Sequence, residues 1–162
     1  MIVDVSTSIV IHRPRPDVAG YAARPDNAPS WCAAVTGVRW LTEPPLGVGS
    51  AIRFTTRWLG RRFDYVYEVV DYALAERLVM RTADGSFPME TTYLWHDTPE
   101  GWTHMTVRSR CAPAGVAKLA LPLIGIATRV ADRNDLVRLR RILEQGIRVE
   151  RHEGGSEPLA AA

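Results

Sequence analysis

The stretch from about Pro113 to Arg148 most restricts what this chain can become, because it alone is long and periodic enough for a substantial helix. Ala117, Leu121, Ile124, Ala131, Leu139 and Ile142 recur at steps of three, four or a multiple, drawing one apolar stripe on a 3.6-residue helix. Arg133, Arg140, Glu144 and Arg148 fall largely elsewhere. One stripe needs one apolar surface to lie on. Pro122 either kinks this helix or sits in the first turn of its main part.

The upstream chain supplies such a surface as strands joined by turns. Ile2 to His12 is rich in Val, Ile, Ser and Thr and reads as strand one, stopped by Pro14 and Pro16. Asp17 can cap a short helix to Tyr21 or Ala23, and Asp26-Asn27-Ala28-Pro29 opens a second turn or short helix leading into Trp31. Six more strands follow: Val35–Thr42, Ser50–Leu59, Arg61–Tyr72, one over residues 77–82, Met89–His96 and Trp102–Cys111. Gly60, Asp84-Gly85 and the 97–101 segment with Pro99 and Gly101 mark tight turns.

The strand at 61–72 has the clearest alternation. Phe63, Tyr65, Tyr67 and Val69 share one face, and Arg62, Asp64, Val66 and Glu68 the other. The same parity turns Ile52, Phe54, Thr56 and Trp58 inward, then Leu78, Met80 and Thr82, then Thr91, Tyr93 and Trp95, then Thr103, Met105, Val107 and Ser109. A sheet with one apolar and one charged face, followed by a helix, is an α+β two-layer arrangement. It predicts a curved antiparallel sheet of about seven strands, two short helices after strand one, and a long C-terminal helix across the sheet over a cavity.

At 162 residues the chain is the size of one domain, expected over 1–150, with 151–162 expected as a disordered tail. Two cysteines are too few for a disulfide framework, and the start of the chain lacks a secretory pattern, so a reduced cytoplasmic location is the default expectation. The apolar run Leu119–Ala127 is far short of the roughly 20 residues that span a bilayer. Net charge is only +2, and Arg138, Arg140 and Arg141 have Asp132, Asp135 and Glu144 nearby, which reads as a solvated helix face rather than a nucleic-acid surface. Nothing in the pattern assigns an oligomeric state.

Three local stretches add a resemblance. Pro25-Asp26-Asn27-Ala28-Pro29-Ser30-Trp31 resembles the segment after the first helix of the SRPBCC, or START-like, superfamily. Leu46-Gly47-Val48-Gly49-Ser50 resembles its glycine loop before strand three, and Glu100-Gly101-Trp102-Thr103 its turn into strand seven. The order of elements agrees over residues 2 to about 148. This superfamily includes birch-pollen-type allergens, lipid-transfer domains and the polyketide cyclase/dehydrase group. The resemblance implies the helix-grip fold and a deep apolar cavity for a lipid, polyketide or similar hydrophobic molecule, without naming an activity.

The expected ligand-lining set is Phe54, Trp58, Phe63, Tyr65, Tyr67, Met80, Tyr93, Trp95, Met105, Ser109, Ile124 and Thr128. Aromatic rings stack on a flat apolar ligand while tyrosine hydroxyls orient a carbonyl or hydroxyl group; the alternative is that these side chains simply fill a collapsed core and the protein acts through its surface. Were the protein a cyclase or aromatase, the proton donors or acceptors would be sought among Tyr65, Tyr67, Tyr93 and Asp135. The favoured reading of Asp135 is that Pro122 or a break near Asn134 rotates the second half of the helix and leaves it exposed or capping.

Metal and cofactor signals are weak. His96 and His104 lie on adjacent strands, yet no Cys, Asp or Glu at ligand spacing completes a site, so no metal is expected. Cys32, near the cavity mouth, has no paired histidine and reads as a small buried hydrophobe. The chain lacks a phosphate loop, a dinucleotide fingerprint and a nucleophile elbow, so no cofactor is expected. The leading expectation is therefore a binding module for a hydrophobic small molecule; the rival is a cyclase acting in the same cavity.

Overall fold

Along β1 (Val3–Ile11) every second side chain is buried and every other exposed, the period of a strand with one face on a core. The computed structural model describes residues 2–58, 60–83, 88–112 and 119–153, with side chains to 146 in the last stretch. After β1 come α1 (Arg15–Ala22), a 3₁₀ turn (Pro25–Asn27), α2 (Ala28–Trp31), β2 (Val35–Trp40), β3 (Ala51–Trp58), β4 (Arg61–Ala73), β5 (Arg77–Thr82), β6 (Met89–Asp97), β7 (Thr103–Cys111) and α3 (Leu121–Glu153). The seven strands form one antiparallel sheet in the order β1-β7-β6-β5-β4-β3-β2. Consecutive strands from β2 to β7 are neighbours, and β1 closes the far side against β7. The two short helices therefore carry the chain from one edge of the sheet to the other.

Curvature comes from irregular pairing. The register between β4 and β5 shifts between Val69 and Asp71, and that between β2 and β3 between Val35 and Gly37. Each extra residue bends and twists the sheet. The turn from β6 to β7 needs a left-handed residue, and Gly101 supplies it at φ +82°.

The inward parity is as the alternation requires: Ile52, Val69, Leu78, Trp95 and Met105 are buried against Leu136, Leu139 and Leu143 of α3. Burying one such side chain fully contributes about 1.5–3 kcal/mol. The outward face is laced by Arg77–Asp71, Arg81–Glu90 and Arg108–Asp4 pairs between neighbouring strands.

Several expectations need correction. Asp17 does not cap α1; Pro14 holds the N-cap position, and Asp17 accepts from Arg13 in the first turn. The described part of α3 begins at Leu121, and Pro122 sits in its first turn, where its missing N–H has no helical partner to lose. Residues 113–118, including Ala117, and the 84–87 hairpin tip lie outside the described residues. No break occurs at Asn134. Leu136 and Leu143 carry the helix core beside Leu139, whereas Ala131 is exposed. Backbone helix extends to Glu153, beyond the expected end at about 148, and 154–162 lie outside the described residues.

Candidate functional site

Between the concave sheet and α3, closed at one side by α2, lies a cavity of about 220 Å³. Its sheet wall is aromatic because the inward positions of β3, β4 and β6 are Phe54, Tyr65, Tyr67 and Tyr93. Phe54 and Tyr65 stack with ring centres 5.9 Å apart, and Tyr65 meets Tyr67 edge-on at 5.0 Å. Trp31 of α2 packs 5.8 Å from Tyr93, joining the helical wall to the sheet. Such tilted and edge contacts suit ring quadrupoles and hold the surface in one shape.

The expected lining residues divide into three groups. Phe54, Tyr65, Tyr67, Met80, Tyr93 and Ser109 border the cavity. Trp95 and Met105 are 1% and 0% exposed and belong to the packed core instead, while Ile124 and Thr128 sit half-buried on α3 away from the cavity. Trp58 and Phe63 are 60% and 47% exposed. Their parity is inward, but they occupy the far end of the β3–β4 hairpin, with Phe63 opposite Thr56 and Trp58 opposite Arg61, and neither belongs to the buried core among the described residues.

Asp135 departs most from its expected place. Because α3 runs unbroken through Asn134, Asp135 faces the cavity, where its Oδ1 accepts the Ala33 backbone N–H at 3.0 Å. Asp132, three residues earlier and on the same side, also lines the cavity and accepts the Ser109 hydroxyl at 2.9 Å. The charge pattern of the sequence by itself places Asp132 on a solvated face. The available signal was its spacing from Asp135, which puts both on one side of a continuous helix.

Burial dominates the electrostatics. It raises Asp132 from an ordinary 3.8 to about 6, against the opposing bond from Ser109 and with the nearby charge of Asp135 helping. Asp135 is raised for the same reason, the Ala33 N–H and the charge of Arg138 pulling the other way. Tyr67 is pushed up to about 12 by burial although its hydroxyl bonds Thr91 at 2.9 Å. Burial also raises Tyr65 and Tyr93. At neutral pH these phenols hold their protons, and the Tyr67 hydroxyl is paired with Thr91. The Cys32 thiol, at the end of α2 and bordering the same cavity, is held well above its usual range by burial and then by the two carboxylates. Such a thiol is a poor nucleophile.

The family model for polyketide cyclase / dehydrase and lipid transport matches residues 3–144. The chain belongs to this family. Like the START-like fold, this member of the family has its long helix laid over a seven-stranded sheet. No curated protein sequence matches it. Among solved structures it is similar to the Zhui aromatase/cyclase from a Streptomyces, at TM-score 0.75 and 14% identity, covering 91% of this chain and 96% of that one. It is also similar to a START superfamily protein from Mycobacterium smegmatis, at TM-score 0.72 and 14% identity, covering 88% and 97%. A Thermus thermophilus protein gives TM-score 0.75 at 14% identity, covering 88% and 98%. At these identities the likeness shows the fold alone.

Two further features of this family member concern metals and membranes. His96 and His104 stand opposite each other in the β6–β7 register, yet among the described residues no group of three or more potential ligands could hold a metal ion. No described helix is long and apolar enough to cross a membrane.

Proposed function

We propose that this protein binds a compact hydrophobic molecule carrying one or two polar groups, enclosed between the aromatic sheet wall and α3. The observation that carries this reading is the aromatic cavity itself. Phe54, Tyr65, Tyr67 and Tyr93 surround open space of about 220 Å³ instead of closing it. That volume is below the roughly 300–1,000 Å³ of drug-sized sites, which favours a ligand of two or three rings over a long lipid. Membership of a family described by both cyclisation and lipid transport supports a hydrophobic ligand.

Native mass spectrometry of the purified protein, compared with a denatured and extracted sample, tests the reading. A co-purifying molecule of defined mass and apolar character is the expected result. Bare protein that also fails to take up two- and three-ring aromatics in titration would overturn it.

A cyclase or aromatase acting in the same cavity is the second reading, favoured by Asp132, whose carboxyl titrates at about 6 beside hydroxyl groups that remain protonated. A carboxyl near neutrality can take a proton from an activated carbon and return one to a leaving hydroxyl. If the bound molecule is turned over, Asp132→Asn should lower kcat by tenfold or more with a smaller effect on binding. Unchanged turnover in that variant would remove Asp132 from the chemistry.

A further inference from the structure

A purely apolar ligand leaves the charge of this cavity unexplained. Asp132 and Asp135 bring two carboxylates, one helical turn apart, into a wall facing tyrosine and tryptophan rings. Among the described residues neither forms an ion pair. Each accepts one hydrogen bond, Asp132 from Ser109 and Asp135 from Ala33. Arg24 lines the mouth, but its side chain is exposed and its Nε lies 4.0 Å from Asp26. Arg138, the cation that acts on Asp135, is likewise exposed.

Trp31 adds aromatic surface to the same walls. Trp31 is 2% exposed and borders the cavity, and its indole N–H has no hydrogen-bond partner among the described residues. The site therefore presents acceptors with spare lone pairs on α3 and aromatic rings in the walls around them.

Three ligand chemistries can be weighed against this arrangement. An anion would meet two carboxylates and be repelled. A neutral hydrocarbon or polyketide would cover the carboxylates without compensating them, which is the costly way to bury a charge. A cation would compensate them and gain attraction to the aromatic faces, a contribution that grows when water is excluded.

We propose that the ligand of this site is a compact aromatic amine, bound as its ammonium ion, with the nitrogen directed to Asp132 and Asp135 and the ring against Tyr65, Tyr67 and Tyr93. This rests on the hydrophobic-ligand reading above and sharpens it to one charge class.

The test is calorimetric titration of the full chain at pH 7.5 with a matched pair, 1-naphthylmethylamine and 1-naphthylmethanol. The amine is expected to bind at least tenfold more tightly than the alcohol, and the gap to close in the Asp132→Asn/Asp135→Asn double variant. Should the double variant not fold, Asp132→Asn alone, which keeps the Asp135 bond to Ala33, should narrow the gap at least threefold. Equal binding of alcohol and amine to the native protein, or a gap that survives both variants, overturns the charge assignment while leaving a hydrophobic site. Binding of neither probe overturns the hydrophobic-ligand reading and this assignment together.

Discussion

Ser109 on β7 donates its hydroxyl to Asp132 on α3 across 2.9 Å, a polar tie between sheet and helix inside an otherwise aromatic cavity. The tie lowers the proton affinity of Asp132, but burial outweighs it and leaves the carboxyl at about 6 instead of 3.8. Between those two values the folded protein keeps a proton that the unfolded chain has released. The group thus favours folding fully below about pH 4, and that contribution is lost as pH rises through about 6.

Asp132→Asn should remove this dependence. Urea unfolding at pH 4.5 and pH 7.5 is expected to show the variant gaining on the native protein at the higher pH by about 1–2 kcal/mol, after a discount for solvent screening of a partly exposed group. A native-minus-variant difference that does not change with pH would mean that Asp132 is better solvated than its surroundings imply.

Cys32, at the end of α2, reports on the same carboxylates. Burial raises its thiol first, then Asp135 and Asp132 add to the effect. In a Cys111→Ser background, alkylation of Cys32 by iodoacetamide at pH 8 should run about tenfold or more below a free thiol, since only thiolate reacts. Adding Asp132→Asn and Asp135→Asn should quicken it about two- to threefold. If neutralising both side chains slowed the reaction or left it unchanged, the carboxylates would not act on that thiol.

The sheet was legible because its period is two. Once Tyr65 and Tyr67 are turned inward, the partners Phe54, Met80 and Tyr93 follow from strand parity, and all of them border the cavity. Parity does not say which inward positions are covered, and Trp58 and Phe63 share the inner side yet meet solvent. The helix was harder to read. Asn134 and Asp135 are weak helix formers, and local propensity favours a break there. Packing of Leu136, Leu139 and Leu143 against the sheet overrides that preference and keeps the helix continuous. Continuity in turn places Asp132 and Asp135 in the cavity, so an expected break at one backbone junction leaves a cavity-facing Asp135 the less favoured reading and Asp132 outside the candidate set.

Whether the space is open to a ligand is tested at Thr91, which borders the cavity from β6 and hydrogen-bonds the Tyr67 hydroxyl at 2.9 Å. Thr91→Val removes that bond alone and should cost about 1 kcal/mol. Thr91→Trp removes it as well and pushes an indole into the space. In a filled core the indole would cost a further 1–3 kcal/mol or so, because neighbouring side chains would have to leave their rotamers. With about 220 Å³ available, Trp and Val should instead unfold within about 0.5 kcal/mol of each other in urea. The Trp variant should also lose uptake of two-ring ligands that the Val variant retains. A Trp variant far less stable than the Val variant would show that the walls close on the space, and would turn the search for a ligand to the protein's surface.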